Sequence, residues 1–239
     1  MRQDGRQFDE LRPVTIEAGF IASALGSVLI ATGRTRVICT ASVEARPPAW
    51  LTSGGWVTAE YAMLPGAVRP RGRREPDGRA KEIQRLIGRS LRAAVDLRQL
   101  VGPQGPIALT IDCDVIEADG GTRTAAITGG MVALALALRR LAAEGSLAAS
   151  PLRGLVSAVS VGLCQTGGSP AALLDLAYVE DSGAIVDLNV VMLDGGLVEI
   201  QGTGERGCFD RSALGTMLDL AERGIAGLQA AQRGALARA

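Results

Sequence analysis

Apolar and polar positions alternate in short runs through the first part of the chain. Val14–Ala18, Ser27–Ala31 and Arg36–Val43 read as strands, the last two joined by the tight turn Thr32-Gly-Arg-Thr35. Trp56–Leu64 is a further strand, halted at Pro65-Gly66. The period then changes. Ile83, Leu86, Ile87, Leu91, Ala94 and Val95 recur at helical spacing behind Asp77, an N-cap candidate, while Arg85, Arg89 and Arg92 share the opposite stripe and read as a solvated basic side. Ile107–Val115 returns to strand. A helix then carries the apolar run Met131–Arg140 and ends near Ala143. Leu155–Cys164 and Ala171–Tyr178 form a hairpin around Gly167-Gly168, strands Leu188–Met192 and Leu197–Gln201 follow, and Asp210 caps a last helix, Arg211–Arg238. The order is several strands, a helix, a strand, a helix, several strands and a helix, the pattern of an α+β fold with helices packed on mixed sheets, here taken as one domain over residues 1–239. Residues 1–13 read as polar and irregular, with Arg2, Arg6 and Arg12 among acids.

Composition narrows the chemistry. Lys and Arg total 25, as do Asp and Glu, so any attraction to a polyanion comes from local patches and not from the whole field. The N-terminus shows no apolar signal segment and no apolar run approaches a membrane span, so no membrane partner and a cytoplasmic location are expected. Cys39, Cys113, Cys164 and Cys208 are widely spaced and read as reduced core residues. The chain has no histidine, which removes Ser-His-Asp and Cys-His nucleophiles, a histidine base and every histidine-containing zinc site. Chemistry is left to carboxylates, arginines, backbone N–H groups and a hard metal.

One stretch concentrates those groups. Residues Asp112–Gly130 read as a strand bearing Asp112, Asp114, Glu117 and Asp119, a Gly120-Gly121 turn, and the first turn of a helix. A helix opening on such a turn leaves N–H groups unpaired at a positive dipole end, where anions bind. Thr122, Arg123 and Thr124 add donors there. The turn therefore reads either as an oxyanion site, most simply for phosphate, or as a tight turn with a solvated arginine. Two further features stand beside it. Arg69, Arg71, Arg73, Arg74 and Arg79 crowd a loop broken by Pro70 and Pro76, which favours contact with a polyanion, without aromatics for base stacking. Asp181 and Asp187 bracket a short turn, with Asp187 opening a strand, and suit either Mg²⁺ and general-acid work or turn chemistry alone.

Leu11-Arg-Pro-Val14, Val37–Ser42, Thr58–Pro65, Glu82–Ala93, Asp112–Gly129, Val179-Glu-Asp181 with Asp187–Val191, and Glu199–Thr203 together resemble the bacterial ribonuclease PH family over nearly the whole chain. The resemblance implies the ribonuclease PH-like fold, similar to the second domain of ribosomal protein S5. It implies a phosphorolytic 3′→5′ exoribonuclease that trims tRNA precursors and other RNA 3′ ends with inorganic phosphate as co-substrate, assembled as a homohexamer, a trimer of dimers. On the family pattern phosphate falls to Arg79, Gly121, Thr122 and Arg123. The two family aspartates fall on Asp181 and Asp187, with Mg²⁺ a candidate cofactor there. The basic loop, with Arg69, Arg71, Arg73 and Arg74, matches the region that contacts tRNA, although it is shorter here and Gly66 stands where arginine is frequent. A non-catalytic RNA-binding ring subunit of an exosome-like assembly is the alternative. A small-molecule kinase would want a Gly/Ser-rich ATP loop that the chain lacks, and a hydrolytic nuclease would release monophosphates without phosphate.

Overall fold

A computed structural model describes residues 2–75 and 77–239; Pro76, the second break of the basic loop, lies outside the described residues. The first half lays down strands β1 (Val14–Ala18), β2 (Gly26–Thr32), β3 (Thr35–Val43) and β4 (Trp56–Met63). A single 3-10 turn, Pro65–Ala67, follows β4 where the sequence places its Pro-Gly stop. Helix α1 (Gly78–Ala93) starts on Asp77, whose side chain accepts the Ala80 N–H at 2.9 Å. After the short pairs β5 (Val101–Gly102) and β6 (Gly105–Pro106) come β7 (Ala108–Glu117) and helix α2 (Thr122–Ala143).

The second half runs β8 (Val156–Thr166), β9 (Ser169–Leu174), the four-residue helix α3 (Tyr178–Asp181), β10 (Val186–Leu193), β11 (Gly196–Thr203) and helix α4 (Arg211–Arg238). Among the described residues two main sheets result, in the orders β1-β2-β3-β7-β4 and β11-β10-β8-β9, while β5 and β6 pair only with each other. All neighbours are antiparallel except β4 beside β7, which run parallel because α1 crosses between them. The fold is α+β, with helices on mixed sheets, as the patterning predicts.

Helix α2 is the centre of the molecule. It packs on β2 and β3 of one sheet and on β8 of the other, with α4 alongside. A helix covered on opposite sides needs apolar residues all round, and its residues from Thr124 to Ala135 are buried without a break. Its mean hydropathy of 1.5 would suit a membrane span, but 78% of that window is buried inside the fold. Gly129 sets how closely α2 approaches the first sheet: a Cβ there would meet Ile30 Cγ2 at 2.6 Å and Cys39 Sγ at 3.0 Å.

Several local expectations change. Ala171–Tyr178 is not one strand: β9 ends at Leu174, Asp175 turns the chain with φ 52°, and Tyr178 opens α3. Asp187 is the second residue of β10 and not the residue before a strand. The α1 stripe is not uniformly wet. Arg92 lies over the Trp56 ring at 4.4 Å and donates to the Val57 carbonyl at 2.8 Å, and Arg89 holds Glu199 of β11 through two 2.7 Å bonds. Cys208 is exposed, whereas the other three cysteines are buried. Arg2, Arg6 and Arg12 are buried too, at 6%, 7% and 5% exposure. The N-terminal segment is irregular, but its arginines are docked on the second half: Arg2 and Arg6 donate to the Asp175 carbonyl, and Arg12, paired with the Asp175 carboxylate, also reaches the Asp119 carbonyl in the turn that follows β7.

Candidate active site

The end of β7 delivers the chain to Asp119, then to Gly120 and Gly121, both left-handed with φ of 76° and 67°. Only glycine adopts that pair without strain. At Gly120 there is also no room: a Cβ would sit 2.6 Å from the Leu176 carbonyl oxygen and 2.8 Å from the Tyr178 nitrogen. Gly121 is the N-cap of α2 and supplies no capping side chain. Among the described residues no acceptor meets the N–H groups of Thr122 and Arg123, so they stand open at the positive end of a 22-residue helix. Thr124 bonds back to the Gly121 carbonyl at 2.9 Å, and Tyr61 of β4 donates to the Thr122 hydroxyl oxygen at 2.8 Å. That donation leaves the Thr122 proton free to point outward.

The turn forms one wall of a cleft of about 1030 Å³ that also takes in Arg69, Arg73, Arg74, Arg79, Asp181 and Asp187. Arg71 is the exception among the nominated residues: it is absent from that lining, and its guanidinium turns to the neighbouring Gly72 carbonyl. Arg79, in the first turn of α1, is exposed and makes no ion pair among the described residues. Arg123 is mostly buried and is aimed by Gln201 of β11, whose amide oxygen accepts from it at 2.7 Å; the same amide donates to Glu82 of α1 at 2.5 Å. The family-like segment Glu199–Thr203 carried no role in the sequence, and Gln201 is the role it holds. Tyr178, 61% exposed in the cleft wall, is an aromatic that the reading of the basic loop did not anticipate.

Asp181 closes α3 and Asp187 lies on β10. Burial lifts the Asp181 carboxyl above its ordinary value, against the pull of Arg79 and then Arg123. Burial pushes Asp187 up to about 6, helped by the charge of Asp181 and opposed by Arg123. Asp187 Oδ1 is buried and has no hydrogen-bond partner among the described residues, while Oδ2 has only a long contact, 3.5 Å, from the Asn189 amide. A carboxyl so placed gains from either a proton or a cation. No cluster of three or more metal-ligating side chains occurs among the described residues. The pair therefore fits a hard cation such as Mg²⁺ only as partial ligands completed by water or substrate phosphate.

Backbone N–H groups, two guanidinium groups and two carboxyls with raised pKa, in one cleft edged with further arginines, define a site for phosphoryl chemistry. The sequence comparisons give it a family. The model of the 3′ exoribonuclease family matches residues 10–139 with its domain 1 and residues 154–224 with its domain 2, and the chain belongs to that family. It is 53% identical over 233 residues to the protein named Ribonuclease PH of Bacillus pumilus, covering 94% of this chain and 93% of that one. It is also 53% identical over 246 residues to Ribonuclease PH of Crocosphaera subtropica, covering 100% and 98%. Among solved structures it superposes on the Archaeoglobus fulgidus exosome with RNA bound to the active site, with TM-score 0.78, 26% identity and coverage of 95% and 91%. Rice (Oryza sativa) Rrp46 shares the fold, with TM-score 0.75, 18% identity and 98% coverage of both chains. The resemblance to the bacterial ribonuclease PH family stands, and with it the ribonuclease PH-like fold.

Proposed function

We propose that this cleft carries out the phosphorolysis that family membership assigns to the chain, with Arg79, Arg123 and the Gly121–Arg123 turn holding inorganic phosphate. The enzyme is a phosphorolytic 3′→5′ exoribonuclease: phosphate attacks the phosphorus of the last phosphodiester, and a nucleoside 5′-diphosphate leaves an RNA shortened by one nucleotide. Phosphate is ionised near neutrality, so the reaction needs no histidine base, which fits a chain that has none. Its obstacle is the approach of two anions. The open N–H groups of Thr122 and Arg123 and the two guanidinium groups offset that repulsion without reorganising.

Asp187 supplies the proton for the leaving 3′ oxygen. It holds a proton up to about pH 6 with phosphate absent, and a bound phosphate dianion raises that value further. Mg²⁺, when bound, would be held by Asp181 and Asp187 and would neutralise charge on the reacting phosphates. Arg69, Arg73 and Arg74 line the approach and hold the RNA backbone, with Arg71 contributing from outside the cleft. The proposed substrates are tRNA precursors and other RNA 3′ ends in the cytoplasm, and the proposed assembly is a homohexamer built as a trimer of dimers.

The observation that carries this reading is the placement of Arg79, Arg123, the open helix N-terminus, Asp181 and Asp187 in a single cleft. The test is incubation of a CCA-ended RNA with and without inorganic phosphate. Nucleoside diphosphates that form only with phosphate are expected, and Arg123→Ala should cut their release by about 10²–10³ while leaving RNA binding within a factor of two or so. Equal phosphorolysis by variant and parent removes Arg123 from the site.

A further inference from the structure

We infer that Arg12, locked by Asp175, is a positioning residue for phosphorolysis: it holds the phosphate-binding turn from behind and sets its place relative to Asp181. The inference rests on the assignment of that turn to phosphate.

A helix N-terminus is normally fixed by a side chain that accepts its first N–H groups. Here such a cap would occupy the donors that phosphate needs. The Gly120-Gly121 turn is instead held through other atoms. Thr35 donates to the Gly120 carbonyl at 2.6 Å and accepts the Asp119 N–H at 2.9 Å. Arg12 Nη1 donates to the Asp119 carbonyl at 2.6 Å, and its Nη2 lies 3.5 Å from the Gly120 carbonyl. A Cβ on Gly121 would touch that same Nη2 at 3.0 Å, so the guanidinium lies directly beneath the turn.

The other side of Arg12 is taken by Asp175. Oδ2 accepts the Arg12 backbone N–H at 2.9 Å and Nε at 3.0 Å, and Oδ1 accepts Nη2 at 2.6 Å. Both side chains are almost wholly buried, at 4% and 3% exposure. Asp175 is in turn fixed by its N–H to the Ser160 carbonyl at 2.7 Å and adopts φ 52°, which asparagine and aspartate tolerate better than most residues. Six residues later the same segment reaches Asp181. The Arg12 guanidinium therefore joins the phosphate turn, built by the first half of the chain, to the segment that carries Asp181, built by the second, beside the Tyr178 N–H that donates to the same Asp119 carbonyl at 3.2 Å. A lysine could answer Asp175, but its single ammonium lacks the planar fork that answers Asp175 and the Asp119 carbonyl together.

The experiment is steady-state phosphorolysis of a CCA-ended RNA by the full chain carrying Arg12→Lys or Asp175→Asn, with phosphate and RNA varied separately and thermal midpoints measured alongside. Both variants should raise KM for phosphate and lower kcat by about tenfold or more each, leaving KM for RNA within twofold of the parent. A folded Arg12→Lys enzyme with KM for phosphate and kcat within twofold of the parent, even with a lowered thermal midpoint, overturns the inference. If Arg12→Lys does not fold, Asp175→Asn decides by the same criterion. If neither folds, the pair is only a structural tie and the inference fails. Arg123→Ala, run in parallel, separates the two levels. Parental KM for phosphate in that variant strikes down the phosphate-site assignment. Unchanged Arg12 and Asp175 variants beside a crippled Arg123→Ala overturn the positioning role alone.

Discussion

Asp187 is a carboxyl that titrates at about 6 in the folded chain, against an ordinary value of 3.8. As a proton donor to the leaving oxygen it should make single-turnover kcat fall as pH rises through the region just above 6. A rate that instead climbs through that region, and climbs with added Mg²⁺, would assign the carboxyl to cation holding. The same shift has a stability consequence. The folded state holds the proton more tightly than the unfolded state, so the contribution is fully present below about pH 4 and is lost as pH rises through about 6. Asp187→Asn should therefore be more stable than the parent at pH 7.5, by about 1–2 kcal/mol, with the difference vanishing near pH 3.5 in denaturant melts. The residues of this site were unevenly visible in the sequence. Gly120 to Arg123 stood out because glycine pairs before a helix have a specific backbone use, but the residues alone left the turn open between an oxyanion site and a tight turn with a solvated arginine. Asp181 and Asp187 were ambiguous as residues, since acids at turns and strand ends are common, and only the family pattern singled them out. The tie between Arg12 and Asp175 was invisible: the partners are 163 positions apart, and three arginines in a polar leader carry the same composition whether buried or wet.

At the scale of elements, local signals and tertiary packing can be separated by substitution. Helix α4 has the bounds the sequence assigns it because Asp210 caps it, accepting the Ala213 N–H at 2.8 Å, and its apolar positions repeat at helical spacing. The glycines inside helices follow different rules according to their neighbours. Gly215 of α4 faces open space, so Gly215→Ala should stabilise by about 0.5–1 kcal/mol through helix propensity alone. Gly129 of α2 is wedged against Ile30 and Cys39, so Gly129→Ala should destabilise by about 1–3 kcal/mol despite the better propensity. Thermal melts of the two variants check the pair, and a Gly129→Ala protein at or above the parent midpoint would show that α2 and the first sheet can shift apart. The α1 stripe was misread for a related reason. Periodicity identifies the apolar face of a helix, but what reaches the other face from elsewhere, here Trp56 and Glu199, belongs to the three-dimensional arrangement.

For the whole molecule, balanced charge makes RNA recognition a matter of patches. Each backbone phosphate neutralised on a single strand contributes about 0.7 to the slope of log K against log salt, so replacing Arg69, Arg71, Arg73 and Arg74 together should lower that slope by roughly 3. Filter binding or fluorescence anisotropy across a salt series measures it, and an unchanged slope would place the RNA path elsewhere. The zero net charge was legible at once, as was the α+β class. The two-sheet arrangement around α2 was not, because alternation within a strand does not reveal which strand lies beside it. The proposed hexamer is checked by light scattering, with an expected mass of six 24.7 kDa chains.

The burial of α2 between two sheets also bears on amide exchange. From Ala125 to Ala135 its residues are buried and their N–H groups should exchange with solvent deuterium only through global opening, whereas those of Thr122 and Arg123, with no internal acceptor among the described residues, should exchange within the fastest class. Saturating phosphate should slow that second set and leave the first unchanged. The boundary between slow and fast amides would then fall inside a single helical turn, and its shift on adding the anion would report occupancy without any turnover.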